Sequence, residues 1–348
     1  MGRQTLKAIG FYEHGDIDKL QFLELPRPEP ARGEVLINVK AVALNHLDLW
    51  VLGGLPALKL EMPHIGGSDI AGLIAGLGDG VVGLQVGQRV VVNPTLSCGN
   101  CAWCRRGEDS LCDEFGVIGE HCRGGAAEYV VVPARNVMPM PDDFSFIEAA
   151  AVPLVFLTAW RALITRGQLR PGESVLILGA SGGVASAAIQ IARLAGATVY
   201  AVTSSPDKME KARALGADWV VDRTQENWSS AVYNATNRQG VDLVLENVGA
   251  ATWFDSLRSA RKGGRIVTYG ATSGPRPQTD IRYIFWKQLT ILGTTMSTRS
   301  EFDDVMNLVW QGKLKPVVDS VFPMEEAHAA YRRLQAGEQF GKVVIEIG

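Results

Sequence analysis

The spacing of apolar and polar positions changes near the middle of the chain. Up to about residue 132, short apolar runs are separated by Gly and Pro, as at 34–42, 88–92 and 128–132. Runs rich in β-branched residues between turn residues predict strands. The first part of the chain is therefore expected to be a compact, β-rich domain.

After residues 141–146, apolar runs alternate with helical stretches. The runs lie at 174–178, 198–202, 219–221, 242–246, 265–269 and 289–292. Because these runs are continuously apolar, they indicate parallel strands buried on both faces. Six such strands with intervening helices predict a doubly wound, nucleotide-binding sheet and an α/β fold class. A helix near 301–311 follows, and 340–347 is expected to return as a strand to the first domain.

Length and composition narrow the class of protein. The chain has 348 residues, enough for two domains, and is 47% hydrophobic and 20% charged, as is ordinary for a globular protein. A net charge of −3 gives no reason to expect nucleic acid or a membrane as a partner. The apolar stretch 149–160 is too short to span a bilayer, and the first residues contain no apolar signal core. We therefore expect a cytoplasmic protein.

Most of the cysteines are concentrated in one polar loop. Cys98, Cys101, Cys104 and Cys112 lie close together, and only Cys122 is left over. Closely spaced thiolates supply the four soft ligands that Zn²⁺ binds in a tetrahedron. Four thiolates leave no open coordination position, so we predict a structural zinc. Reduced cysteines in a core, or a pair of disulfides, are the alternatives.

A glycine-rich turn joins the first of the six runs to a helix. It reads Gly-Ala-Ser-Gly-Gly-Val-Ala at 179–185, and Gly196 is placed to cap the end of the helix. Small residues let the backbone approach a pyrophosphate, and a helix N-terminus presents free N–H groups to it. A tight turn without a ligand is the alternative. The residues expected to bind a dinucleotide are Ser181, Gly182, Gly183 and Val184.

The end of the second run bears on the choice between NAD and NADP. An NAD site places a carboxylate there for the ribose hydroxyls, and that charge repels a 2′-phosphate. Asp207 lies nearby, but it also suits the start of a helix. The polar or basic residues expected to surround the 2′ position are Thr203, Ser204, Ser205, Lys208 and Arg223. The pattern favours NADP, with NAD as the second choice.

Taken together, these features resemble the medium-chain dehydrogenase/reductase superfamily, in particular its quinone-oxidoreductase-like and zinc-type alcohol-dehydrogenase-like branch. The resemblance covers essentially the whole chain. Besides the cysteine and glycine loops, it rests on the segments 45–48, 67–72, 150–160 and 340–344. It implies a GroES-like catalytic domain, residues 1–150 completed by 297–348, interrupted by a Rossmann domain, residues 151–296. It also implies an active site in the cleft between them.

The sequence departs from the zinc alcohol dehydrogenases at the catalytic metal. Those enzymes hold a second zinc with a Cys, a Gly-His-Glu segment and another Cys or Asp. At the matching places this chain has Asn45, then Ser68 with Asp69, and Leu154. An amide or a hydroxyl is not a usual zinc ligand, and leucine has no ligand atom.

Without a Lewis acid a simple alkoxide is hard to stabilise, whereas conjugation spreads the charge that develops on a quinone, an enone or an enoyl thioester. We therefore expect an NADPH-dependent oxidoreductase that transfers hydride to such a substrate without a catalytic zinc.

The resemblance also assigns residues to the active site. It places Asn45, Asp48 and Trp50 on the substrate side, with Thr158 near the nicotinamide and Lys342 at the cofactor. Asn45 is able to donate a hydrogen bond to a carbonyl, and Trp50 would form an apolar wall for a flat substrate. The alternatives are that Asn45 and Asp48 cap a helix and that Trp50 belongs to the core.

Two other functions stay open on the sequence alone. His46, Asp69 and His121 are the residues from which a rearranged metal site could be built, which would make the chain a zinc-dependent alcohol dehydrogenase. The family also contains non-catalytic NADP(H)-binding proteins.

The resemblance implies a homodimer or a homotetramer as well. Residues 290–296 are the expected edge strand for pairing across a two-fold axis.

Overall fold

The computed structural model describes residues 5–55 and 58–348, and these divide into two compact units. The first unit holds the described residues up to Leu154 together with Thr298–Trp310 and Pro316–Gly348. The second unit holds Val155–Ser297 and Gln311–Lys315. Each unit has its own cluster of buried apolar side chains, as a domain requires.

Strands and helices are numbered in chain order. The strands are β1 (Thr5–Phe11), β2 (Gln21–Pro26), β3 (Glu34–Ala43), β4 (His64–Ile65), β5 (Asp69–Leu77), β6 (Arg89–Val92), β7 (Thr95–Leu96), β8 (Gly116–Val117), β9 (Tyr129–Pro133), β10 (Val137–Pro139), β11 (Ser174–Ile177), β12 (Thr198–Thr203), β13 (Trp219–Asp222), β14 (Val241–Glu246), β15 (Ala260–Thr268), β16 (Thr290–Gly293), β17 (Val318–Pro323) and β18 (Lys342–Glu346). The helices are α1 (His46–Gly53), α2 (Phe146–Ala150), α3 (Pro153–Trp160), α4 (Gly183–Leu194), α5 (Pro206–Ala214), α6 (Trp228–Ala235), α7 (Trp253–Ser259), α8 (Ile281–Lys287), α9 (Arg299–Trp310) and α10 (Ala327–Ala336).

The first unit is built on a largely antiparallel sheet. In the described residues its strand order is β10-β6-β5-β3-β18-β17, and β9 also pairs with β3. The strand β18 runs antiparallel to β3, with Val344 opposite Ala43. The end of the chain therefore completes a sheet that the N-terminal half begins, which confirms the predicted return of 340–347.

The strand β3 is central to this sheet, where it pairs with β5, β9 and β18. Its apolar side chains are buried along most of its length, and this burial stabilises the central position. Val35, Ile37 and Val39 are fully or almost fully buried, and they belong to one apolar cluster with residues of β1, β5 and β18. Burying one such side chain contributes about 1.5–3 kcal/mol to stability. This core holds the ends of β3, β5 and β18 at fixed positions.

The second unit is a parallel sheet with helices between its strands. Its strand order among the described residues is β13-β12-β11-β14-β15-β16, and every adjacent pair is parallel. This is the doubly wound strand order of a Rossmann sheet. From β11 the chain adds strands on one side as far as β13, and it then adds β14, β15 and β16 on the other side. The six predicted strands and the α/β fold class are confirmed.

The edge strand of this sheet is shorter than the sequence suggested. The prediction was a strand over 290–296, but β16 ends at Gly293. Met296 has a φ of +48°, which is incompatible with an extended strand, so the backbone has left the sheet before that residue. The edge strand that is expected to pair with a second copy of the chain is therefore limited to Thr290–Gly293.

The helices are all short. In the described residues α4 and α9 have 12 residues each, and α3 continues as a π-helix over Arg161–Arg166, whereas a span needs about 20 apolar residues. Within residues 5–55 and 58–348, no helix is long and apolar enough to cross a bilayer.

Candidate functional site

The cysteine loop brings four thiols together. The loop connects β7 to β8 and contains two short 3₁₀ turns, Cys104–Arg106 and Asp109–Leu111. The Sγ atoms of Cys98, Cys101, Cys104 and Cys112 all lie within 4.8 Å of one another. The Sγ atoms of Cys98 and Cys104 are 4.0 Å apart, and those of Cys101 and Cys112 are 3.9 Å apart.

These distances fit a tetrahedral zinc. With Zn–S bonds of about 2.3 Å, two sulfurs of a tetrahedron are about 3.8 Å apart. Backbone N–H groups of Cys98 and Glu114 donate to the Cys112 sulfur at 3.2 and 3.3 Å. All five cysteines are free thiols, so the disulfide alternative is excluded.

Within the described part of the chain, His46, Asp69 and His121 are not brought together with the spacing of metal ligands. Among the described residues, the four cysteines are the single group of three or more His, Cys, Asp or Glu side chains with metal-binding spacing. His121 Nδ1 accepts a hydrogen bond from the backbone N–H of Val117, and the ring of His46 packs edge-on against Trp50. The three residues thus have separate partners.

The glycine-rich turn opens directly into a helix N-terminus. It follows β11, and Gly182 is the N-cap of α4. Gly179 has a φ of +62°, a left-handed conformation that favours glycine. No side chain of the first turn is acidic. Ser181, Gly182, Gly183 and Val184 therefore form an N-terminus that can accept an anion. The helix ends where predicted, with Gly196 left-handed after it.

The end of β12 carries hydroxyl groups and a basic residue. Thr203 is the last residue of the strand, and Ser205 caps α5 by accepting a hydrogen bond from the backbone N–H of Lys208 at 3.4 Å. The Asp207 carboxylate pairs with Lys211 Nζ at 2.9 Å, one turn along the helix. Asp207 thus serves the helix start, as the alternative interpretation of that residue proposed.

Arg223 lies beside the same strand end. Its backbone N–H donates to the carbonyl oxygen of Thr203 at 3.0 Å. This bond brings the residue after β13 next to Thr203, Ser204 and Ser205. The residues predicted to surround the cofactor 2′ position therefore lie in neighbouring segments of the second unit, at the ends of β12 and β13 and in the first turn of α5.

In the first unit, three adjacent strands bring polar side chains to one end of the sheet. The strand β3 ends two residues before Asn45, β5 begins with Asp69, and β18 begins with Lys342. Because β3 is antiparallel to both neighbours, its end meets their beginnings. The three side chains are 6%, 0% and 3% exposed, so they face one another in the protein interior.

These side chains form a closed hydrogen-bonded network. Lys342 Nζ donates to Asn45 Oδ1 at 2.5 Å and to Asp69 Oδ2 at 2.9 Å. Asn45 Nδ2 donates to the same Asp69 oxygen at 2.9 Å. The other Asp69 oxygen accepts from the backbone N–H of Leu154 at 2.7 Å. A buried ion pair is more stable when the remaining polar atoms are also bonded, and here both carboxylate oxygens of Asp69 accept hydrogen bonds.

The neighbouring carboxylate of Asp48 is also buried. Its oxygens accept hydrogen bonds from the backbone N–H groups of Asn45, at 2.7 Å, and Gly67, at 2.8 Å. Burial raises the pKa of this carboxyl to about 6, against the lowering effect of the two backbone N–H groups and of Lys342. Asn45 is the N-cap of α1, so the predicted capping alternative describes part of its role.

The remaining predicted side chains are less enclosed or lie elsewhere. Trp50 is 36% exposed and packs against the exposed side chain of His46 with ring centroids 5.2 Å apart, so it lies at the surface and not in the core. Burial lowers the pKa of His46, which favours its neutral form. Thr158 is buried within α3.

Sequence reasoning missed two features of these sites. The pairing of Asp69 with Lys342 was not anticipated. Glu246, at the end of β14, is fully buried and accepts hydrogen bonds from the backbone N–H groups of Val248 and Gly249 and from the Thr252 hydroxyl. In each case a buried charged residue stands at the end of a mostly apolar strand, and that position is the signal that could have found them.

Comparison with known proteins agrees with this architecture. Residues 31–142 match the family described as alcohol dehydrogenase GroES-like domain, and residues 183–311 match the family described as zinc-binding dehydrogenase. A nucleotide-binding sheet combined with a GroES-like domain and a four-cysteine loop defines an NAD(P)-dependent oxidoreductase.

Individual relatives match over almost the whole chain. An NAD-dependent alcohol dehydrogenase of Sulfolobus acidocaldarius is 31% identical, with 98% of this chain and 100% of that protein covered. An acryloyl-coenzyme A reductase of Metallosphaera sedula is 33% identical, with coverages of 92% and 95%. A crystal structure of an NAD-dependent alcohol dehydrogenase superposes with a TM-score of 0.95 at 44% identity, covering 98% of this chain and 100% of that one. The chain belongs to the medium-chain dehydrogenase/reductase superfamily.

Proposed function

We propose that this protein is an NADPH-dependent reductase that transfers hydride to a conjugated carbonyl, an enoyl thioester or a quinone, without a catalytic zinc. The observation that carries the proposal is the buried contact between the Lys342 ammonium and Asn45 Oδ1 at 2.5 Å. That oxygen is the atom of Asn45 that could bind a metal. A divalent cation beside it would be repelled by the ammonium.

The other side chains at the matching places do not fit a catalytic zinc either. Leu154 has no ligand atom, and both oxygens of Asp69 are already hydrogen-bonded. Ser68 Oγ is buried and has no hydrogen-bond partner among the described residues, but a neutral hydroxyl is a poor zinc ligand. The three places that hold the catalytic zinc in zinc alcohol dehydrogenases therefore do not supply three strong ligands in this chain.

A substrate that spreads its own negative charge suits this site. NADPH bound at the N-terminus of α4 would supply a hydride for the β-carbon of an enone or enoyl thioester, the π-electron pair would move to the carbonyl oxygen, and a solvent proton would add at the α-carbon. Asn45 would donate a hydrogen bond to that oxygen, and Trp50 would form the apolar wall. A positioned donor of this kind typically contributes a few kcal/mol to the barrier. The similarity to an acryloyl-coenzyme A reductase supports this substrate class.

We assign the cofactor to the second unit. The N-terminus of α4 would hold the pyrophosphate, and Thr203, Ser204, Ser205, Lys208 and Arg223 would surround the 2′-phosphate. The support is the hydroxyl-rich and basic end of β12, and the carboxylate of Asp207, in the first turn of α5, already pairs with Lys211. Two of the reported relatives are named NAD-dependent, so the proposal of NADP over NAD rests on the residues of this chain alone.

The four-cysteine loop would hold one structural zinc per chain. The sulfur spacing fits a tetrahedral ion, and with four thiolates bound the ion would have no place for substrate. Its contribution is to fold and fix the loop, since binding energy at such sites is folding energy.

One further function has a specific observation in its favour. Two of the reported relatives are named NAD-dependent alcohol dehydrogenases, which supports alcohol oxidation as the second candidate, but His46, Asp69 and His121 do not supply the rearranged zinc site for it in the described part of the chain. A non-catalytic NADP(H)-binding role is the third candidate from the family.

The experiment that tests the proposal combines metal analysis with substrate kinetics. Purified protein would be assayed with NADPH and NADH against quinones, enones, enoyl-coenzyme A esters and, in the reverse direction, alcohols. The proposal expects one zinc per chain and reduction of a conjugated acceptor that survives removal of loosely bound metal. Two zincs per chain together with alcohol oxidation would favour the alcohol dehydrogenase. Cofactor binding without turnover of any acceptor would favour the non-catalytic role.

A further inference from the structure

We propose that Lys342 is a positioning residue that orients the side-chain amide of Asn45 toward the substrate, and is not a contact to the cofactor phosphates. The proposal rests on the proposed function, because it names the residue that aims the hydrogen-bond donor at the acceptor carbonyl. The resemblance to the family places Lys342 at the cofactor, and no other sequence feature supports that role.

The two charged neighbours of Asn45 leave its amide one orientation. An ammonium group can only donate hydrogen bonds, so the atom that faces Lys342 Nζ at 2.5 Å must be the amide oxygen. An ionised carboxylate can only accept, so the atom that faces Asp69 Oδ2 at 2.9 Å must be the amide nitrogen. Rotating the amide by half a turn would place its NH2 group against the ammonium of Lys342, donor facing donor, and its oxygen against the carboxylate of Asp69, acceptor facing acceptor.

This orientation leaves one N–H of the amide only weakly engaged. The first N–H of Nδ2 is directed at Asp69, and the second has the carbonyl oxygen of Ala43 at 3.4 Å, which is long for a hydrogen bond. The second N–H is therefore the one that a substrate carbonyl can recruit. The ammonium on Oδ1 also polarises the amide and strengthens its N–H groups as donors.

Lys342 has little freedom to serve another partner. Its side chain is 3% exposed, and its counter-ion Asp69 is fully buried. Asp69 is itself fixed by the backbone N–H of Leu154 at 2.7 Å. An ammonium that left this network for a phosphate would strand a buried carboxylate, which costs several kcal/mol.

A double-mutant cycle tests the coupling. Lys342→Met, Asn45→Ala and the double variant would be compared by kcat with the best acceptor and by NADPH dissociation constants from fluorescence titration. We expect Lys342→Met to lower kcat about tenfold to hundredfold while the NADPH dissociation constant changes less than about twofold. In the Asn45→Ala background, Lys342→Met should lower kcat no further, because the amide through which Lys342 acts is no longer present.

A matched control is available in the second unit. Lys287 Nζ is held by the carbonyl oxygens of Leu257, Arg258 and Ala260. Lys287→Met also removes a partly buried ammonium, and it should lower thermal stability without changing kcat. The proposal is overturned if Lys342→Met weakens NADPH binding tenfold or more, or if its effect on kcat is the same with and without Asn45.

A readout that needs no turnover separates this proposal from the proposed function. Protein labelled with ¹⁵N-asparagine would show the Asn45 side-chain amide, identified by its loss in Asn45→Ala. We expect that resonance to shift in Lys342→Met and to stay in place in Lys287→Met. Lys342→Arg keeps the positive charge and should shift the Asn45 resonance less than Lys342→Met does. It also provides the comparison if Lys342→Met does not fold. An unmoved resonance refutes the orientation, whereas a shifted resonance in a protein that reduces no acceptor refutes the proposed function alone.

Discussion

The carboxylate of Asp48 accepts a hydrogen bond from the backbone N–H of Gly67 at 2.8 Å, and this bond ties the first turn of α1 to the segment that leads into β5. Gly67 immediately precedes Ser68 and Asp69, so Asp48 helps to fix the backbone on which the buried network is built. The same carboxylate accepts from the backbone N–H of Asn45, so one side chain holds both segments together.

The raised pKa of Asp48 predicts a pH-dependent stability. Burial raises this pKa from its ordinary value of 3.8 to about 6 in the folded protein. Because the folded pKa lies above the unfolded one, the protonated carboxyl stabilises the fold fully below about pH 3.8, and this contribution is lost as the pH rises through 6. Between pH 5 and pH 8 the loss amounts to about 1–1.5 kcal/mol of unfolding free energy.

Urea unfolding of the wild type and of Asp48→Asn across this range would measure the effect. The substitution also removes one acceptor and so lowers stability at every pH. We expect the wild type's advantage over the variant to shrink between pH 5 and 7 and then level off. An advantage that is constant with pH would contradict the raised pKa.

The cysteine loop predicts a metal-dependent stability. Cys104→Ser removes one of four thiolates from a group whose sulfurs lie within 4.8 Å of one another. We expect the zinc content to fall well below one ion per chain and the melting temperature to fall with it, because the metal stabilises only the folded loop. Elemental analysis and calorimetry on the same samples would measure both quantities.

The chain offers a control for that experiment in Cys122. This cysteine is exposed and lies outside the four-cysteine group. Cys122→Ser should keep the zinc content and the melting temperature of the wild type. A purified wild-type protein that contains no zinc and melts at the same temperature as Cys104→Ser would refute the structural role.

The basic residue in the first turn of α5 predicts the cofactor preference. We expect Lys208→Ala to weaken NADPH binding, relative to NADH, by up to about tenfold, which corresponds to about 1.4 kcal/mol for one charge contact. Lys211, one turn further on, already pairs with Asp207 at 2.9 Å and is the matched control. Lys211→Ala should leave the ratio of the two dissociation constants unchanged. Equal constants for NADPH and NADH in the wild type would show that the preference was misassigned.

Local patterns account for what the sequence predicted well. The six strands of the second unit could be predicted because buried parallel strands are continuously apolar. The four thiols could be predicted because their spacing within one loop already limits their geometry. In both cases the information lies within a few neighbouring residues.

The buried network could not be predicted in the same way. Asp69 and Lys342 are 273 positions apart in sequence, and they meet because β3 pairs with both β5 and β18. Nothing near either residue indicates the other. The resemblance pointed to segments around both residues, but only the sheet register brings an ammonium and a carboxylate to the same amide.

The edge of the parallel sheet predicts that two copies of the chain associate. The strand β16 is the last strand of its sheet, and Ile291 on it is 38% exposed. An unpaired edge with an exposed apolar side chain can pair with its own copy across a two-fold axis and extend both sheets. Light scattering at micromolar concentration should therefore give at least twice the 37.5 kDa mass of one chain.

A charge placed on that edge should separate the copies. We expect Ile291→Lys to shift the protein to a monomer, because two-fold symmetry would bring the lysines of the two copies to the same interface. Val82, which is 88% exposed in the first unit, provides the control, and Val82→Lys should leave the mass unchanged. A wild type that is monomeric at this concentration would contradict the prediction. A dimer that persists in Ile291→Lys would show that the copies associate through another surface.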